Sequence, residues 1–557
     1  MTRADKRITL ECTYCRATTP LHQFGGACPN CGEVIVEARY DLDTIDFEQW
    51  QQRRPQLWRY HEVLPLYDTR NIVSLGEGST PLIHAERLGA SLGLKHLYIK
   101  DERQGPTGSF KDRQATVAIS ALKEMGINEL VVASTGNVAI AYAAYCARAG
   151  IKLWAFFPSL TPNSKMREAA LYGAEIIKTT GNYDQTKELA AQFARNRGIF
   201  LDKGIKSYAA IEAMKTMSYE IAEQLAAELG AERTKWRSPD WFIQGVSGGM
   251  GPIGVNKGFR ELQHFGLIDT LPALGVIQSS GCAPMVTAFE GNQRVATPVE
   301  DPTTIIATLA TGSPGRAYEL LYDYVQDHGG VFTSASDEEA FNAIRILART
   351  EGISVEPATG VTFAGLFRMV RNGLIHPEEV VVVNCSGHTM AVEKDILGEA
   401  WQKQVDLENV SKSPLLPREI SRVIAETFDS VSIGVNNKRV VVLEDNEQAA
   451  RLMSRILQGR VNTEVRMAHN GESGMELIRH WRPHLVITDL MMPGVDGFMV
   501  IDMMKADEAL RDIPIVVITA KDLTVREKEH LSSNVELVLQ KGSFFDETFV
   551  ESVLSRL

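Results

Sequence analysis

Lys111 is the residue of this sequence whose position most strongly suggests chemistry. It lies in the octapeptide Pro106–Arg113, where the Ser109-x-x-Asp112 spacing and the apolar residues that follow predict a capping box opening an amphipathic helix. The helix dipole disfavours a positive charge in the first turn, and burial would lower the lysine pKa further, which frees the amine as a nucleophile or base. The spacing alone is also consistent with an ordinary exposed lysine. The choice between a reactive amine and a surface lysine therefore depends on other segments of the sequence.

A glycine-dense loop follows the predicted strand Trp241–Gln244. Its residues are Gly245, Val246, Ser247, Gly248, Gly249, Met250 and Gly251. Backbone N–H groups of such a loop can converge on a phosphate, and Ser247 adds a hydroxyl donor. The loop has neither the Gly-Lys-Ser/Thr ending of a nucleotide P-loop nor the spacing of a dinucleotide fingerprint. It predicts a phosphate site, with a tight structural turn as the alternative.

Two other predicted strands end in polar turns. Leu130–Ala133 runs into Ser134-Thr135-Gly136-Asn137, and Val380–Val383 runs into Asn384-Cys385-Ser386. Ligands of open α/β sheets collect beyond the carboxyl ends of strands. A reactive lysine, a phosphate loop, an asparagine and a serine together fit pyridoxal phosphate. That cofactor needs a lysine imine, a phosphate cradle, a donor to its ring hydroxyl and a partner for its pyridine nitrogen.

The N-terminal segment has the cysteine spacing of a metal site. Cys12-x-x-Cys15 and Cys28-x-x-Cys31 can supply four thiolates to one tetrahedral ion. Four thiolates leave no open coordination position, so the predicted role is structural zinc, with disulfides or an iron centre as alternatives.

The elements that position these residues form several domains. We predict a zinc ribbon over 1–38, an α/β domain with a largely parallel sheet over 39–410, a linker with one amphipathic helix over 411–437, and a doubly wound α/β domain over 438–557. The net charge of -12 argues against nucleic-acid binding. The chain shows no apolar run of membrane-spanning length and no signal peptide, which predicts a cytoplasmic protein.

Three motifs resemble those of the threonine synthases, members of the tryptophan synthase β-type pyridoxal enzymes. They are Leu75–Leu82 (LGEGSTPL), Pro106–Arg113 (PTGSFKDR) and Ala133–Asn137 (ASTGN). The resemblance implies a fold type II enzyme with two α/β subdomains, a small amino-acid substrate and a homodimer.

The resemblance also implies a role for each site residue. Lys111 would bind the cofactor as an imine and move protons on the substrate carbons, and Asn137 would donate to the 3-hydroxyl. Ser386 would face the pyridine nitrogen. The phosphate would be held by Gly245, Val246, Ser247, Gly248, Gly249 and Gly251, and the substrate carboxylate by Ser134, Thr135 and Gly136.

The substrate segment departs from the family pattern. Threonine synthases usually carry Asn-Pro-x-Arg-x-Glu-Gly here, whereas Ser207–Ala213 reads SYAAIEA and places Ala210 at the arginine. Loss of a bidentate phosphate donor weakens the case for O-phosphohomoserine as the substrate. The cations that could compensate are Lys165, Arg167, Lys203 and Lys206.

We expect the conversion of O-phosphohomoserine and water to threonine and phosphate. The alternatives are threonine/serine or diaminopropionate ammonia-lyase activity, a β-replacement reaction, or an inactive sensor or scaffold.

Acidic residues follow two predicted strands of the C-terminal domain over 438–557. Glu444 and Asp445 follow the first predicted strand and Asp489 follows the third, which brings carboxylates together as magnesium ligands. The region, with its DLMMP string after Thr488, resembles a response-regulator receiver domain. The resemblance implies Asp489 as the phosphoacceptor, Thr519 and Lys541 as switch residues, and a sensor histidine kinase or phosphotransfer protein as a partner.

The tail also departs from its family at two positions. Val538 occupies the site of the usual aromatic switch residue, and Gly542 replaces the proline that often follows the lysine. A docking or dimerising module is therefore the alternative to a phosphorylated receiver.

Overall fold

The computed structural model describes residues 8–21, 26–134, 136–158, 161–180, 183–202, 207–231, 235–388, 438–446, 449–450, 453–454, 463–519 and 523–540. The chain divides into two units, Met1–Ala391 and Val392–Leu557. The predicted linker helix over 411–437 lies outside the described residues, and the boundaries at 38, 410 and 437 stay predictions. Among the described helices, none has the length and apolar character that a membrane span requires.

A small antiparallel sheet begins the first unit. Its strands are β1 (Thr9–Cys12), β2 (Thr18–Pro20) and β3 (Val36–Arg39), in the order β2-β1-β3. Cys12 and Cys28 lie in its apolar core. Glu212 joins this lobe to the rest of the unit, because its carboxylate accepts from the backbone N of Ala38 at 2.9 Å and from the Tyr40 hydroxyl at 3.0 Å.

Two further sheets form the body of the first unit. Their strands are β4 (Leu82–His84), β5 (His96–Asp101), β6 (Glu129–Ala133), β7 (Lys152–Phe157), β8 (Glu175–Lys178), β9 (Phe200–Leu201), β10 (Trp241–Gly245), β11 (Ala273–Ser279), β12 (Gly330–Ala335) and β13 (Val380–Cys385). The larger sheet has the order β12-β11-β10-β13-β5-β4, and the smaller one has the order β8-β7-β6-β9. Apart from β4, which is antiparallel to β5, the paired strands are parallel.

The strand predictions are confirmed at the three junctions that lead into the site. The predicted segments Leu130–Ala133, Trp241–Gln244 and Val380–Val383 lie in β6, β10 and β13. Their apolar runs are buried almost throughout, as expected for parallel strands covered on both faces. The fold is α/β, as predicted, with a smaller and a larger subdomain.

Helices alternate with these strands. They are α1 (Glu48–Gln52), α2 (Glu86–Leu92), α3 (Lys111–Glu124), α4 (Asn137–Ala149), α5 (Asn163–Leu171), α6 (Tyr183–Arg197), α7 (Tyr208–Glu228), α8 (Met250–His264), α9 (Pro284–Glu290), α10 (Arg316–His328), α11 (Asp337–Glu351) and α12 (Pro357–Arg371).

Lys111 lies in the first turn of α3, as predicted, but the predicted capping box is wrong. The N-cap residue is Phe110, and its side chain makes no capping hydrogen bond. The Asp112 carboxylate turns away from the helix end and accepts from the Thr107 backbone N at 3.0 Å and from the Thr107 hydroxyl at 2.7 Å. These bonds close the loop before the helix. Burial raises the pKa of Asp112 to about 7, against the opposing effect of the Thr107 hydrogen bonds.

A buried ion cluster fixes the start of α3 to the rest of the unit. The Arg113 guanidinium donates to Glu102 at 2.7 Å and to Glu220 of α7 at 2.6 Å. Lys100 of β5 donates to the same Glu220 carboxylate at 2.8 Å. Arg113 also donates to the Thr80 hydroxyl at 3.1 Å, so the LGEGSTPL and PTGSFKDR motifs meet at one buried cation. Removing one partner from such a cluster would leave an uncompensated buried charge.

The second unit is a doubly wound parallel sheet. Its strands are β14 (Lys438–Leu443), β15 (Thr463–Ala468), β16 (Leu485–Thr488), β17 (Ile515–Thr519) and β18 (Leu537–Gln540), in the order β15-β14-β16-β17-β18. All of its strand pairs are parallel. The helices within its described residues include α13 (Gly471–Trp481), α14 (Gly497–Ala506) and α15 (Val525–Asn534). This arrangement confirms the predicted fold of the tail.

Candidate active site

One cavity collects the predicted site residues from both sheets. Lys111, Ser134, Asn137, the whole loop from Gly245 to Gly251, and Ser386 all line it. Asn137 follows β6 of the smaller sheet, whereas the glycine loop and Ser386 lie beyond β10 and at the end of β13 of the larger sheet. The carboxyl ends of the two sheets therefore face the same cleft. Of the predicted substrate residues, Gly136 lies in the turn between Ser134 and Asn137, and Thr135 lies outside the described residues.

Lys111 has the environment of a reactive amine. Its Nζ atom lies 3.9 Å from the centre of the Phe110 ring. Burial lowers the pKa of Lys111 to about 8, and the negative charge of Glu356 opposes that shift. Because the ordinary lysine pKa is about 10.4, a far larger share of this amine is neutral near pH 8 than of an exposed lysine.

The glycine loop is shaped as an anion cradle. It leads into α8, whose N-cap is Gly249 with a φ of 83°. A Cβ atom at Gly251 would lie 2.4 Å from the Gln244 amide nitrogen, and one at Gly245 would lie 2.6 Å from the Thr362 hydroxyl. Only glycine leaves these backbone segments room to approach a ligand, and the N-terminus of α8 favours a negative charge there.

A buried amide oxygen lies beside this cradle. Gln244 lines the cavity, and its Oε1 atom has no hydrogen-bond partner among the described residues. Ser247 pairs through its hydroxyl with the hydroxyl of Thr311, which also lines the cavity. The cradle, the amine of Lys111 and the amide of Asn137 fit the phosphate, the aldehyde and the ring hydroxyl of pyridoxal phosphate.

Glu356 is a site residue that sequence reasoning missed. Its Oε2 atom accepts from Asn137 Nδ2 at 2.8 Å, and its Oε1 atom accepts from the Ser386 hydroxyl at 2.9 Å. It precedes Pro357, the first residue of α12, and it is 5% exposed. The only local signal was a carboxylate before a proline that opens a helix, and that pattern is common at helix starts.

Ser386 is held by more than one neighbour. In addition to Glu356, its hydroxyl lies 2.9 Å from the Thr359 hydroxyl. The Ser386 hydroxyl, which lines the cavity, is therefore held in place by Glu356 and Thr359 together.

The segment that departs from the family pattern does not replace the missing arginine. Ala210 lies in α7 and is 2% exposed, and Glu212 of the same helix binds the N-terminal lobe. Among the proposed compensating cations, Lys165 reaches the site, where its Nζ atom donates to Asn137 Oδ1 at 2.7 Å. Lys203 and Lys206 lie outside the described residues.

The four N-terminal cysteines form a cluster suited to a metal. The Sγ atoms of Cys12, Cys15, Cys28 and Cys31 lie within 4.8 Å of one another. Cys12 lies 3.6 Å from Cys31, and Cys15 lies 3.6 Å from Cys28. These separations exceed an S–S bond and match the edge of a tetrahedron with zinc–sulfur distances of about 2.3 Å.

Three acidic residues meet at the sheet edge of the second unit. Ligand oxygens of Glu444, Asp445 and Asp489 lie within 4.8 Å of one another. They lie beyond β14 and β16, which are neighbours in the sheet although β15 separates them in sequence. This is the topological switch point, where doubly wound sheets bind ligands. Thr519 ends β17 next to β16, and Lys541 lies outside the described residues.

Comparison with known proteins assigns both units to families. Residues 73–387 match the pyridoxal-phosphate dependent enzyme family, and residues 440–551 match the response regulator receiver domain. The chain belongs to the pyridoxal-phosphate dependent enzymes. It is an enzyme of the lyase type with a threonine synthase-like catalytic region, and it carries a receiver domain after that region.

Named relatives support this assignment over most of their length. The chain is 36% identical over 402 residues to threonine synthase from Methanocaldococcus jannaschii, covering 72% of this chain and 96% of that protein. It is 34% identical over 384 residues to threonine synthase from Methanosarcina acetivorans, covering 68% and 91%. A structure of holo diaminopropionate ammonia lyase from Escherichia coli matches with a TM-score of 0.50 and 17% identity, covering 59% of this chain and 90% of that one, and supports the fold alone.

We expect Lys111 of the cofactor-free protein to react with an amine reagent at a lower pH than an exposed lysine. Burial favours the neutral amine, so the pH midpoint of labelling should lie near 8. Lys152, whose side chain is 48% exposed, serves as the exposed-lysine control. The measurement is labelling with trinitrobenzenesulfonate across a pH series, read by peptide mass spectrometry.

The variant Glu356→Gln should move the Lys111 midpoint further down, because Glu356 raises the pKa of Lys111. An unchanged or higher midpoint in that variant would contradict the account of the site's charge balance.

Proposed function

We propose that the catalytic unit converts O-phosphohomoserine and water to threonine and phosphate. The observation that carries the proposal is the 36% identity to an archaeal threonine synthase over 96% of that protein. The cavity supports it, because the amine, the amide and the anion cradle expected of such an enzyme face one cleft.

Bound pyridoxal phosphate would supply an electron sink that stabilises negative charge on the substrate carbons. Lys111 acts as acid and base at those carbons, since its lowered pKa allows the amine both to take and to return a proton near neutral pH. The glycine loop holds an anion at the N-terminus of α8. Ser134 and the turn after it bind the substrate carboxylate, and Asn137 donates to the ring oxygen.

The purified enzyme should release phosphate from O-phosphohomoserine and form threonine in equal amounts. Lys111→Ala should lower the turnover number by at least about a hundredfold, because the proton-transferring group is lost. The measurement is a coupled phosphate assay with amino-acid analysis of the product. Lys178→Met is the matched control, because Lys178 contacts Asn163 at the surface and should be replaceable without loss of turnover. Release of ammonia from serine or threonine without phosphate release from O-phosphohomoserine would refute the assignment and favour an ammonia-lyase.

We propose that Asp489 of the receiver domain accepts a phosphoryl group with the help of magnesium. Glu444, Asp445 and Asp489 bring three carboxylates within 4.8 Å, which is a ligand set that magnesium prefers. A sensor histidine kinase or a phosphotransfer protein would be the donor. Thr519 and Lys541 are the proposed switch residues, and phosphorylation would then alter the catalytic unit, self-association or a partner.

Incubation with acetyl phosphate and magnesium should add one phosphoryl group per chain. Asp489→Asn should abolish the label because it removes the attacking carboxylate, whereas Asp502→Asn, at a 62% exposed side chain of the same unit, should keep it. Intact-protein mass spectrometry provides the measurement. A label that survives in Asp489→Asn, or that forms equally in excess chelator, would rule out a magnesium-dependent aspartyl phosphate.

We propose structural zinc at the four cysteines. Elemental analysis should find one zinc ion per chain, and a strong chelator should make four additional thiols reactive because four thiolates are released. Double substitution Cys12→Ser and Cys28→Ser should abolish the bound zinc, whereas Cys146→Ser, at a buried cysteine outside the cluster, should retain it. Iron in place of zinc, or thiols already reactive before chelation, would contradict the proposal.

A further inference from the structure

We propose that Lys165 is a positioning residue that orients the Asn137 amide toward the cofactor. Lys165 lies in α5, and its side chain is 14% exposed. Its Nζ atom donates to Asn137 Oδ1 at 2.7 Å and lies 3.8 Å from Glu356 Oε2. The inference rests on the proposed role of Asn137 as the donor to the cofactor's ring oxygen.

The contacts on the two sides of Asn137 determine which way its amide points. An ammonium group can only donate hydrogen bonds and an ionised carboxylate can only accept them. Lys165 therefore selects the amide oxygen on its side, and Glu356 selects the amide nitrogen on the other, where Nδ2 donates at 2.8 Å. The reversed amide would place its NH₂ group against the ammonium and its oxygen against the carboxylate. Both contacts would be repulsive.

The observed orientation leaves one donor for a ligand. The Asn137 amide nitrogen carries two protons, and one of them is directed to Glu356. Asn137 lines the cavity that also holds Lys111. The second proton is the one available to the ring oxygen, so a misoriented amide would present an acceptor where a donor is needed.

Lys165 also balances charge in the cleft. Glu356 is 5% exposed. Among the ion pairs of the described residues, the cation that lies within 4 Å of its carboxylate is Lys165. A buried carboxylate without a nearby cation is costly, and it would attract a proton or change its hydrogen-bond partners. Glu356 in turn accepts from Ser386. Lys165 therefore favours the carboxylate position that accepts from Asn137.

The backbone next to Asn137 is shaped to admit the Lys165 side chain. Gly136 has a φ of 143°, and a Cβ atom there would lie 2.4 Å from Lys165 Cδ. A side chain at position 136 would clash with Lys165, so a glycine in this turn leaves room for the lysine to reach Asn137. This relation was not evident from sequence, since Gly136 and Lys165 lie on different elements, before α4 and within α5.

The test compares cofactor binding by Lys165→Met, Lys165→Arg and the matched control Lys178→Met. Lys178 also donates to an asparagine side-chain oxygen, that of Asn163 at 3.3 Å, but at the surface. Lys165→Met should weaken the binding of pyridoxal phosphate to the cofactor-free protein by about tenfold to a hundredfold, as expected for loss of a charge-assisted hydrogen bond. It should also shift the absorption maximum of the bound cofactor. Lys165→Arg should bind nearly as well as the unchanged protein, and Lys178→Met should bind equally well.

A double-substitution cycle distinguishes positioning from direct contact. If Lys165 acts through Asn137, adding Lys165→Met to Asn137→Ala should cause little further loss of cofactor affinity. Fully additive losses would overturn the proposal. If Lys165→Met folds poorly, as judged by circular dichroism, Lys165→Gln replaces it in the same cycle with the same expectation.

A second outcome would assign Lys165 to the substrate. Unchanged cofactor affinity and spectrum together with a raised KM for O-phosphohomoserine would overturn the positioning role and make Lys165 the replacement for the missing arginine. The binding measurement needs no substrate, so failure of this proposal can be told apart from failure of the threonine synthase assignment.

Discussion

The buried ion cluster around Arg113 is the constraint on which the catalytic unit depends. Arg113 is two residues after Lys111, and its guanidinium binds Glu102, Glu220 and Thr80. Burial opposes ionisation of Glu220, but Arg113 and Lys100 together hold its pKa well below the ordinary value. The cluster therefore keeps the start of α3 in place against β5 and α7 and sets where the lysine amine enters the cleft. It also explains why two motifs about thirty residues apart occur together, because they supply the two sides of one buried cation site.

The candidate active site is assembled from segments far apart in the chain. Lys111 comes from the start of α3, Asn137 follows the smaller sheet, and Ser386 follows the larger one. Glu356 comes from the start of α12. The two parallel sheets bring these residues together because their carboxyl ends face the same cleft. Glu356 links them, since it accepts from Asn137 and Ser386 and opposes the lowering of the Lys111 pKa. The site is thus a charge-balanced network rather than a set of independent contacts.

The sequence allowed prediction of those parts of the site that depend on local backbone geometry. The glycine loop after β10, the polar turn after β6 and the position of Lys111 at a helix start all follow from turn chemistry and strand patterns. Glu356 and Lys165 were not recognised as a pair, because neither residue has a local signature and their contact depends on how α5 and α12 pack. The capping box was wrong for a different reason. Asp112 accepts hydrogen bonds from Thr107, five residues earlier, so one local contact took the place of another.

We propose that Lys111 carries the pyridoxal phosphate of this enzyme. The direct measurement is borohydride reduction of the purified holoprotein followed by peptide mass spectrometry. We expect one phosphopyridoxyl group, attached to the peptide that contains Lys111, and none in Lys111→Ala. Attachment at another lysine, or a protein that binds the cofactor without any reducible bond at Lys111, would contradict the account.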